Sequence, residues 1–266
     1  VTPPGLFAAR TEFLGVVQST MEEARARAQR GAPHGTTVVA QAQWAGRGRH
    51  GRGWVSAPGA GLFLTTLLRP PATADVRGLS LCAGAAVLAA VHALGATQAR
   101  IKWPNDIWVH EHKLAGVLTE LVLPPPPPHG APQPSQAAPA VLVGVGLNLA
   151  PKAPQALQTD AATPPYVGLR ALCPSVTPQL AARQVADALE AAYGAWQRQG
   201  LGPTLRVFAQ YHALANAQVR AQDLSGRAIV GQVLGVAADG GLVLSVGGHT
   251  TTLYAGEVTR VRPVKP

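Results

Sequence analysis

What this 266-residue chain is short of narrows the choices first: charged residues make up 13% of it, and Asp plus Glu number 13 against 22 Lys plus Arg. An average soluble domain carries about 25% charge. With hydrophobic residues at 47%, a highly charged disordered chain is excluded and a sizeable core is expected. The two cysteines, Cys82 and Cys173, lie far apart without metal-ligand spacing. That argues against a disulfide framework and fits a reducing cytoplasm. No uninterrupted apolar run approaches the roughly 18 residues of a membrane helix. The longest, residues 79–94, is broken by Ser80, Gly84 and His92, so a soluble protein is expected. The N-terminus shows neither the basic start nor the apolar stretch of a signal peptide. Four Phe and four Tyr are too few to interleave a basic face with stacking groups for nucleic acid.

What is present is Arg, Ala, Gly and Pro. The formal charge of +9 rests on 18 Arg and 4 Lys. A basic surface attracts phosphate whatever its sequence, but a coding bias towards Arg produces the same imbalance. Against that background each Lys, and each of the three Asn, stands out.

Ser19 with Glu22, or Thr20 with Glu23, makes a capping box that opens a helix to about Arg30. Residues 36–40 and 62–67 read as strands around a Gly/Arg-rich loop, and residues 80–94 as a buried helix stopped by Gly95. Short strands follow at 100–103, 107–110, 114–123 and 141–147, with a hairpin at His110-Glu-His112. Residues 124–139 include five consecutive prolines and read as a solvated loop inserted between neighbouring strands. Helices at 178–199 and 203–214 close this unit. From Ala217 the pattern turns to short β-runs at 218–221, 228–236, 242–246, 250–254 and 258–261, with Asp239-Gly-Gly241 as a hairpin turn. The expected domains are therefore 1–216 and 217–266, the second a small β-barrel.

Four segments carry the chemistry. Gln43-Trp-Ala-Gly-Arg-Gly-Arg-His-Gly-Arg-Gly-Trp54 lets bare backbone approach a ligand while Arg47, Arg49 and Arg52 offer planar donors to phosphate or carboxylate oxygens. It is neither a P-loop nor a dinucleotide fingerprint. Lys102-Trp-Pro-Asn-Asp106 turns at its proline and gathers Lys102, Asn105 and Asp106 at a sheet edge. Lys113-Leu-Ala-Gly-Val-Leu-Thr-Glu120 is a strand with a lysine at its start and bare backbone at Gly116. Val143-Gly-Val-Gly-Leu-Asn148 alternates glycine in an apolar strand and ends on Asn148. Taken singly, the last three also read as an ordinary turn, a hairpin strand with a solvated lysine, and tight packing.

In this order the four segments resemble the biotin protein ligases, and the resemblance extends from Ser19-Thr20 to Gly256-Glu-Val258. It implies an α+β fold: a mixed, mostly antiparallel sheet flanked by helices, like the catalytic domain of class II aminoacyl-tRNA synthetases, with a small SH3-like β-barrel. It implies that biotin is activated by ATP and Mg²⁺ to biotinyl-5′-AMP and then transferred to a lysine of a biotin carboxyl carrier protein domain. Biotin contacts would come from Ser19, Thr20, Gln43, Gly46, Arg47, Gly48, Arg49, Lys102 and Gly116. The nucleotide side would be lined by Arg49, Arg52, Trp54, Asn105, Lys113 and Asn148. Lys102, Arg47 and Arg49 would serve catalysis, since a carboxylate attacking an α-phosphate brings two anions together. The metal ligands stay open, and Asp106 would fix the turn or orient a cation. His50 replaces a frequent Arg, removing a cation at neutral pH, and Met21 replaces a frequent polar residue.

Longer family members carry an N-terminal helix-turn-helix domain that represses biotin genes. Fewer than twenty residues precede Ser19, so an enzyme without specific DNA binding is expected. No membrane partner is expected, and a homodimer is compatible. Two rivals are weaker: a lipoate ligase or octanoyltransferase would lack the Gly-Arg-Gly-Arg loop and the Lys-Trp-Pro-Asn-Asp spacing, and a nucleic-acid module would need the missing aromatics.

Overall fold

A computed structural model of the protein describes residues 5–51, 53–54, 58–71, 73–123, 139–151, 165–222, 226–254 and 256–260. Arg52 and nearly all of the Pro-rich segment lie outside the described residues. The chain opens with α1 (Leu6–Ala9), β1 (Thr11–Val17), α2 (Thr20–Gln29), β2 (Thr37–Gln43), β3 (Gly61–Leu68) and α3 (Leu79–Ala93). It continues through β4 (Arg100–Lys102), β5 (Asp106–Val109), β6 (His112–Val122) and β7 (Ala140–Asn148). Helices α4 (Pro178–Gln199) and α5 (Gly202–Tyr211) follow. The described part ends with β8 (Gln218–Gln222), β9 (Ala228–Val236), β10 (Leu242–Val246), β11 (His249–Leu253) and β12 (Glu257–Arg260).

Strands β1 to β7 form one sheet in the order β1-β2-β3-β7-β6-β5-β4. Only β1 and β2 run parallel, so the sheet is mixed and mostly antiparallel, as expected. Residues that alternate along a strand point to opposite faces, and the two faces have different covers. Leu62, Leu64, Val143, Val145, Leu147 and Ile101 share one core with α3 and α4. On the other face Met21, Ala24 and Ala28 of α2 pack on Val38, Leu67 and Leu142. That helix covers only part of its face, and the uncovered part holds the candidate site.

Residues Val76–Ala93 have the length and apolarity of a membrane span, with mean hydropathy 1.6, yet 67% of that window is buried inside the protein. Nearly every face of α3 is apolar because sheet and helices surround it.

The sequence reading leaves β1 unassigned. It is an edge strand with Glu12, Phe13, Gly15 and Val16 exposed, so it lacks the alternation that marks a half-buried strand. The second helix of the pair ends at Tyr211 rather than Leu214. There the chain turns back to the sheet, where the Ala213 N–H donates to the Ile101 carbonyl over 2.7 Å.

Strands β8 to β12 form a second, antiparallel sheet in the order β11-β10-β9-β8-β12. Its inner residues, among them Val219, Val233, Leu242 and Leu244, belong to the same apolar cluster as α3 and α4. The Trp103 indole N–H donates to the Gly240 carbonyl over 3.0 Å, so the second sheet reaches the Lys-Trp-Pro-Asn-Asp turn directly.

Candidate active site

One row of cross-strand partners builds the site. Lys102 is opposite Asp106, Asp106 opposite Gly116, Gly116 opposite Gly146, and Gly146 opposite Phe63. Directly opposed residues share a face, so Phe63, Lys102, Asp106, Gly116 and Gly146 meet on the side that α2 leaves partly open. Lys113 should point away from Gly116, three residues on. A register shift between Ile107 and Trp108 sets Lys113 opposite Trp108 and returns it to the site face. Its Nζ lies 2.7 Å from Asp106 Oδ1.

The two glycines make a bare floor, and the Trp54 indole lies on it. A Cβ built on Gly146 would meet that ring at 2.6 Å, and one on Gly116 would meet it at 3.1 Å. Lys113 Nζ sits 5.3 Å from the Trp54 ring centroid, and Lys102 Nζ sits 4.3 Å from that of Trp108. Both are cation–π distances. Asn105 is buried, donates its amide to the Val117 carbonyl, and accepts from Arg49 Nη1 over 3.2 Å. The Asn148 amide donates to the Lys113 carbonyl over 2.9 Å, fixing the strand end that carries the lysine. Arg49, Trp54, Lys102, Asn105, Asp106, Lys113, Gly116 and Asn148 are thus one neighbourhood.

The Gly/Arg loop closes on itself. The Trp54 N–H donates to the Gly46 carbonyl over 2.9 Å, and Arg47 pairs with Gly53. Gly46 has no room for a side chain, since a Cβ there would stand 2.8 Å from both Gln43 Nε2 and the Trp54 carbonyl. Gly48 lies between that bridge and a 3-10 turn, Arg49–Gly51, which carries the His50 backbone.

A second group borders the first. Ser19 caps α2, its hydroxyl accepting from the Met21 N–H over 3.2 Å. Thr20 gives Gln43 Oε1 both its N–H, at 2.7 Å, and its hydroxyl, at 3.1 Å. All three are buried. Met21 is buried against Gly144, whose missing Cβ would lie 2.7 Å from its Sδ, so this apolar side chain serves packing.

Arg47 departs from its expected place beside Arg49. Its guanidinium pairs with Glu22 of α2 and lies 3.9 Å from Glu120, which in turn pairs with Arg25. Alternate residues of a loop need not face one ligand, and the two nearby carboxylates draw this cation towards α2.

Sequence reasoning missed three contributors. The Thr65 hydroxyl donates to Thr20 Oγ1 over 2.9 Å, and the signal for it is a Thr-Thr pair inside an otherwise apolar strand. Trp108 supports Lys102. Its Nε1 is the one buried side-chain N or O atom without a hydrogen-bond partner among the described residues. Tyr166 bonds the Ala60 and Ala150 carbonyls at 3.3 and 3.0 Å, and burial pushes its phenol up to about 12. It ties together the neighbouring ends of β3 and β7.

Comparison with known proteins gives the family and the fold. Residues 14–127 match the model of the biotin/lipoate A/B protein ligase family. The chain is 34% identical over 254 residues to a biotin–[acetyl-CoA-carboxylase] ligase of Mycobacterium tuberculosis, covering 92% of this chain and 86% of that one. It is 28% identical to a bifunctional ligase/repressor of Bacillus spizizenii, covering 95% of this chain and 76% of that one. Among solved structures it shares the fold of a biotin protein ligase from Aquifex aeolicus in complex with biotin and ATP. The TM-score there is 0.77 and the identity 22%, with 95% and 98% of the two chains covered. On these likenesses the chain belongs to the biotin protein ligases, within the biotin/lipoate A/B protein ligase family, and is a ligase.

Proposed function

We propose that this ligase joins the biotin carboxylate to the α-phosphate of ATP, releasing pyrophosphate, and then passes biotin from biotinyl-5′-AMP to a lysine of a biotin carboxyl carrier protein domain. The register row carries this reading. It sets Lys102, Lys113 and Arg49 around a glycine floor, with the Asp106 carboxylate among them. Fixed cations beside bare backbone suit a step in which two anions must meet, because they need no reorganisation as charge develops.

In this reading Ser19, Thr20, Gln43, Gly46, Gly48 and Gly116 hold biotin, with Arg47 contributing through the loop it fastens. Lys102 and Arg49 serve the adenylation, and Arg52, Trp54, Asn105, Lys113 and Asn148 face the nucleotide. Asp106 orients the Lys113 ammonium, 2.7 Å from its Oδ1, and the residues that would hold Mg²⁺ stay open; the ion would supply charge neutralisation at the phosphates when present. We also read 217–266 as an SH3-like domain beside a catalytic domain of 1–216. The setting proposed is the cytoplasm, where the free thiols of Cys82 and Cys173 stay reduced. A homodimer is compatible with this function, and neither DNA nor membrane is required for it.

The test is incubation with biotin, Mg²⁺ and α-labelled ATP in the absence of carrier. A labelled biotinyl-AMP adduct is expected. Its absence, with ATP and biotin at millimolar concentration, would overturn the reading.

A further inference from the structure

We propose that Glu22 and Glu120, steadied by Arg25, are positioning residues for the biotin side of the Gly/Arg loop: they act through Arg47 and set how tightly biotin is held, leaving the adenylation step to other groups. The proposal rests on the biotin reading above. Arg47 stands between Gly46 and Gly48, two residues given to biotin in that reading, and neither glycine has a side chain. Within residues 46–48 only Arg47 can therefore reach another element through a side chain. The bond from the Trp54 N–H to the Gly46 carbonyl and the bridge between Arg47 and Gly53 stay inside the loop. They give the loop its shape, and the Arg47 guanidinium ties this stretch to the rest of the fold.

What receives that guanidinium is an alternating ring of four charges. Arg47 pairs with Glu22 of α2 and lies 3.9 Å from Glu120 of β6. Arg25 pairs with Glu120 and stands 3.6 Å from Glu22. Each carboxylate thus meets both guanidinium groups, and the ring is neutral. Three of its members belong to regular elements. Glu22 and Arg25 share one face of α2 at a spacing of three, and Glu120 lies on the sheet face that carries Gly116, further along β6. A lone exposed ion pair contributes little, because two long side chains must be ordered to make it, whereas a network counts for more. Here Arg25 orders both carboxylates, so only Arg47 is left to be fixed.

The consequence is specific to one part of the loop. Trp54 rests on the glycine floor and Arg49 reaches Asn105, so the far half of the loop is held from the Lys102 side whatever happens at Glu22. Without the two carboxylates residues 46–48 keep their turn but lose the tie to α2 and β6. Glycine on both sides of Arg47 then gives the backbone freedom to drift. The biotin wall loosens while the cations of adenylation stay in place. The four side chains are 25% to 44% exposed, so dissolved salt screens the tie.

The experiment compares the double variant Glu22→Gln/Glu120→Gln with Glu23→Gln, which removes a carboxylate from the same turn of α2 but breaks a pair with Arg27 instead. KM for biotin, the rate of biotin release, KM for ATP and kcat of the adenylation half-reaction are measured for each, in the wild-type and Arg47→Gln backgrounds, with thermal unfolding alongside. The double variant is expected to raise KM for biotin and speed biotin release about three- to tenfold, with kcat and KM for ATP within about twofold of wild type. Glu23→Gln should match wild type. In the Arg47→Gln background the two glutamines should add nothing, since the tie through which they act is already gone. Raising NaCl from about 0.05 to about 0.5 M should weaken biotin binding more in the wild type than in the double variant. An unchanged KM for biotin in the folded double variant overturns the proposal, as does an equal salt dependence. So does an equal loss in Glu23→Gln, an equal loss in the ATP constant, or a loss that persists beside Arg47→Gln, any of which a purely structural role would give. Should the double variant fail to fold, Glu22→Gln alone carries the same comparison. Wild-type protein that makes no biotinyl-AMP would sink the biotin reading itself, whereas normal wild-type adenylation with an indifferent double variant sinks only the role of the ring.

Discussion

Lys102 and Lys113 reach the same neighbourhood by different routes, and only one route can be read from the sequence. Lys102 precedes a proline turn, so its place at a strand end beside Asn105 and Asp106 is legible. Lys113 arrives through a register shift in β6, and nothing in Lys113-Leu-Ala-Gly116 announces it. The arginines show the reverse: their spacing suggests a common ligand, yet Arg47 turns to Glu22 while Arg49 turns to Asn105. Loop side chains follow nearby charge, which a motif does not encode. Replacing Lys102 with Ala should slow biotinyl-AMP formation about a hundredfold, the usual scale for removing one stabilising charge. It should change the melting temperature little, since the lysine is only half-buried above Trp108. Adenylation at wild-type rate in that variant would remove Lys102 from the chemistry. His212 gives a pH test. Burial pushes its imidazole down to about 4 from 6.5, and its Nε2 accepts the Trp103 N–H over 3.4 Å. As pH falls below about 6.5 the unfolded chain takes up this proton first, so stability declines until about pH 4, by roughly 3 kcal/mol. His212→Gln, which keeps an acceptor, should flatten this limb in unfolding curves recorded between pH 4 and 7.

At the scale of elements, regular patterning made most of the fold legible. Helices α3 and α4 and strands β3 to β11 fall within about three residues of their expected ends, and most of them, such as α4, β3, β8 and β9, bury one consistent face or are buried throughout. The edge strand β1 has no such face, and pairing with β2 holds it in the sheet instead. Loop 46–54 is closed in the structure although sequence alone describes it as glycine and arginine. What closes it is long-range, namely the glycine floor under Trp54 and the carboxylate of Glu22 on α2. Gly146→Ala should push the indole off that floor, because the new Cβ would stand 2.6 Å from the ring. We expect a red-shifted tryptophan emission, faster proteolysis within 46–54, and adenylation reduced about tenfold or more, with a normal far-UV spectrum. In the wild type, biotin plus ATP should protect the same loop from protease, since an ordered lid over a hydrolysable anhydride excludes water. Equal cleavage with and without ligands would refute any further ordering of the loop by biotin and ATP.

For the molecule as a whole, the two sheets are coupled through Trp103, which bonds Gly240 with its ring and His212 with its backbone. The Lys-Trp-Pro-Asn-Asp turn is thus braced from behind by residues near the C-terminus, an arrangement that no local pattern reveals. The Pro-rich segment 124–139 stands on the other side of the account. It contains no Lys, Arg, Asp or Glu, and its prolines donate no backbone hydrogen bond. The strands that it joins are already paired at their ends, with Val122 opposite Ala140. Loop-closure entropy changes slowly with length, so replacing residues 124–139 by a four-residue Gly/Asn turn should alter stability by no more than about 1 kcal/mol. Both half-reactions should proceed as in the parent, because every residue assigned to biotin and nucleotide lies elsewhere. The rival role is recognition of the carrier domain, which would require ordering the segment against its conformational entropy. The two roles separate cleanly when KM for a carrier domain is measured next to the rate of biotinyl-AMP formation. Normal adenylation with a large rise in KM for the carrier would make the segment a docking element and refute its dispensability.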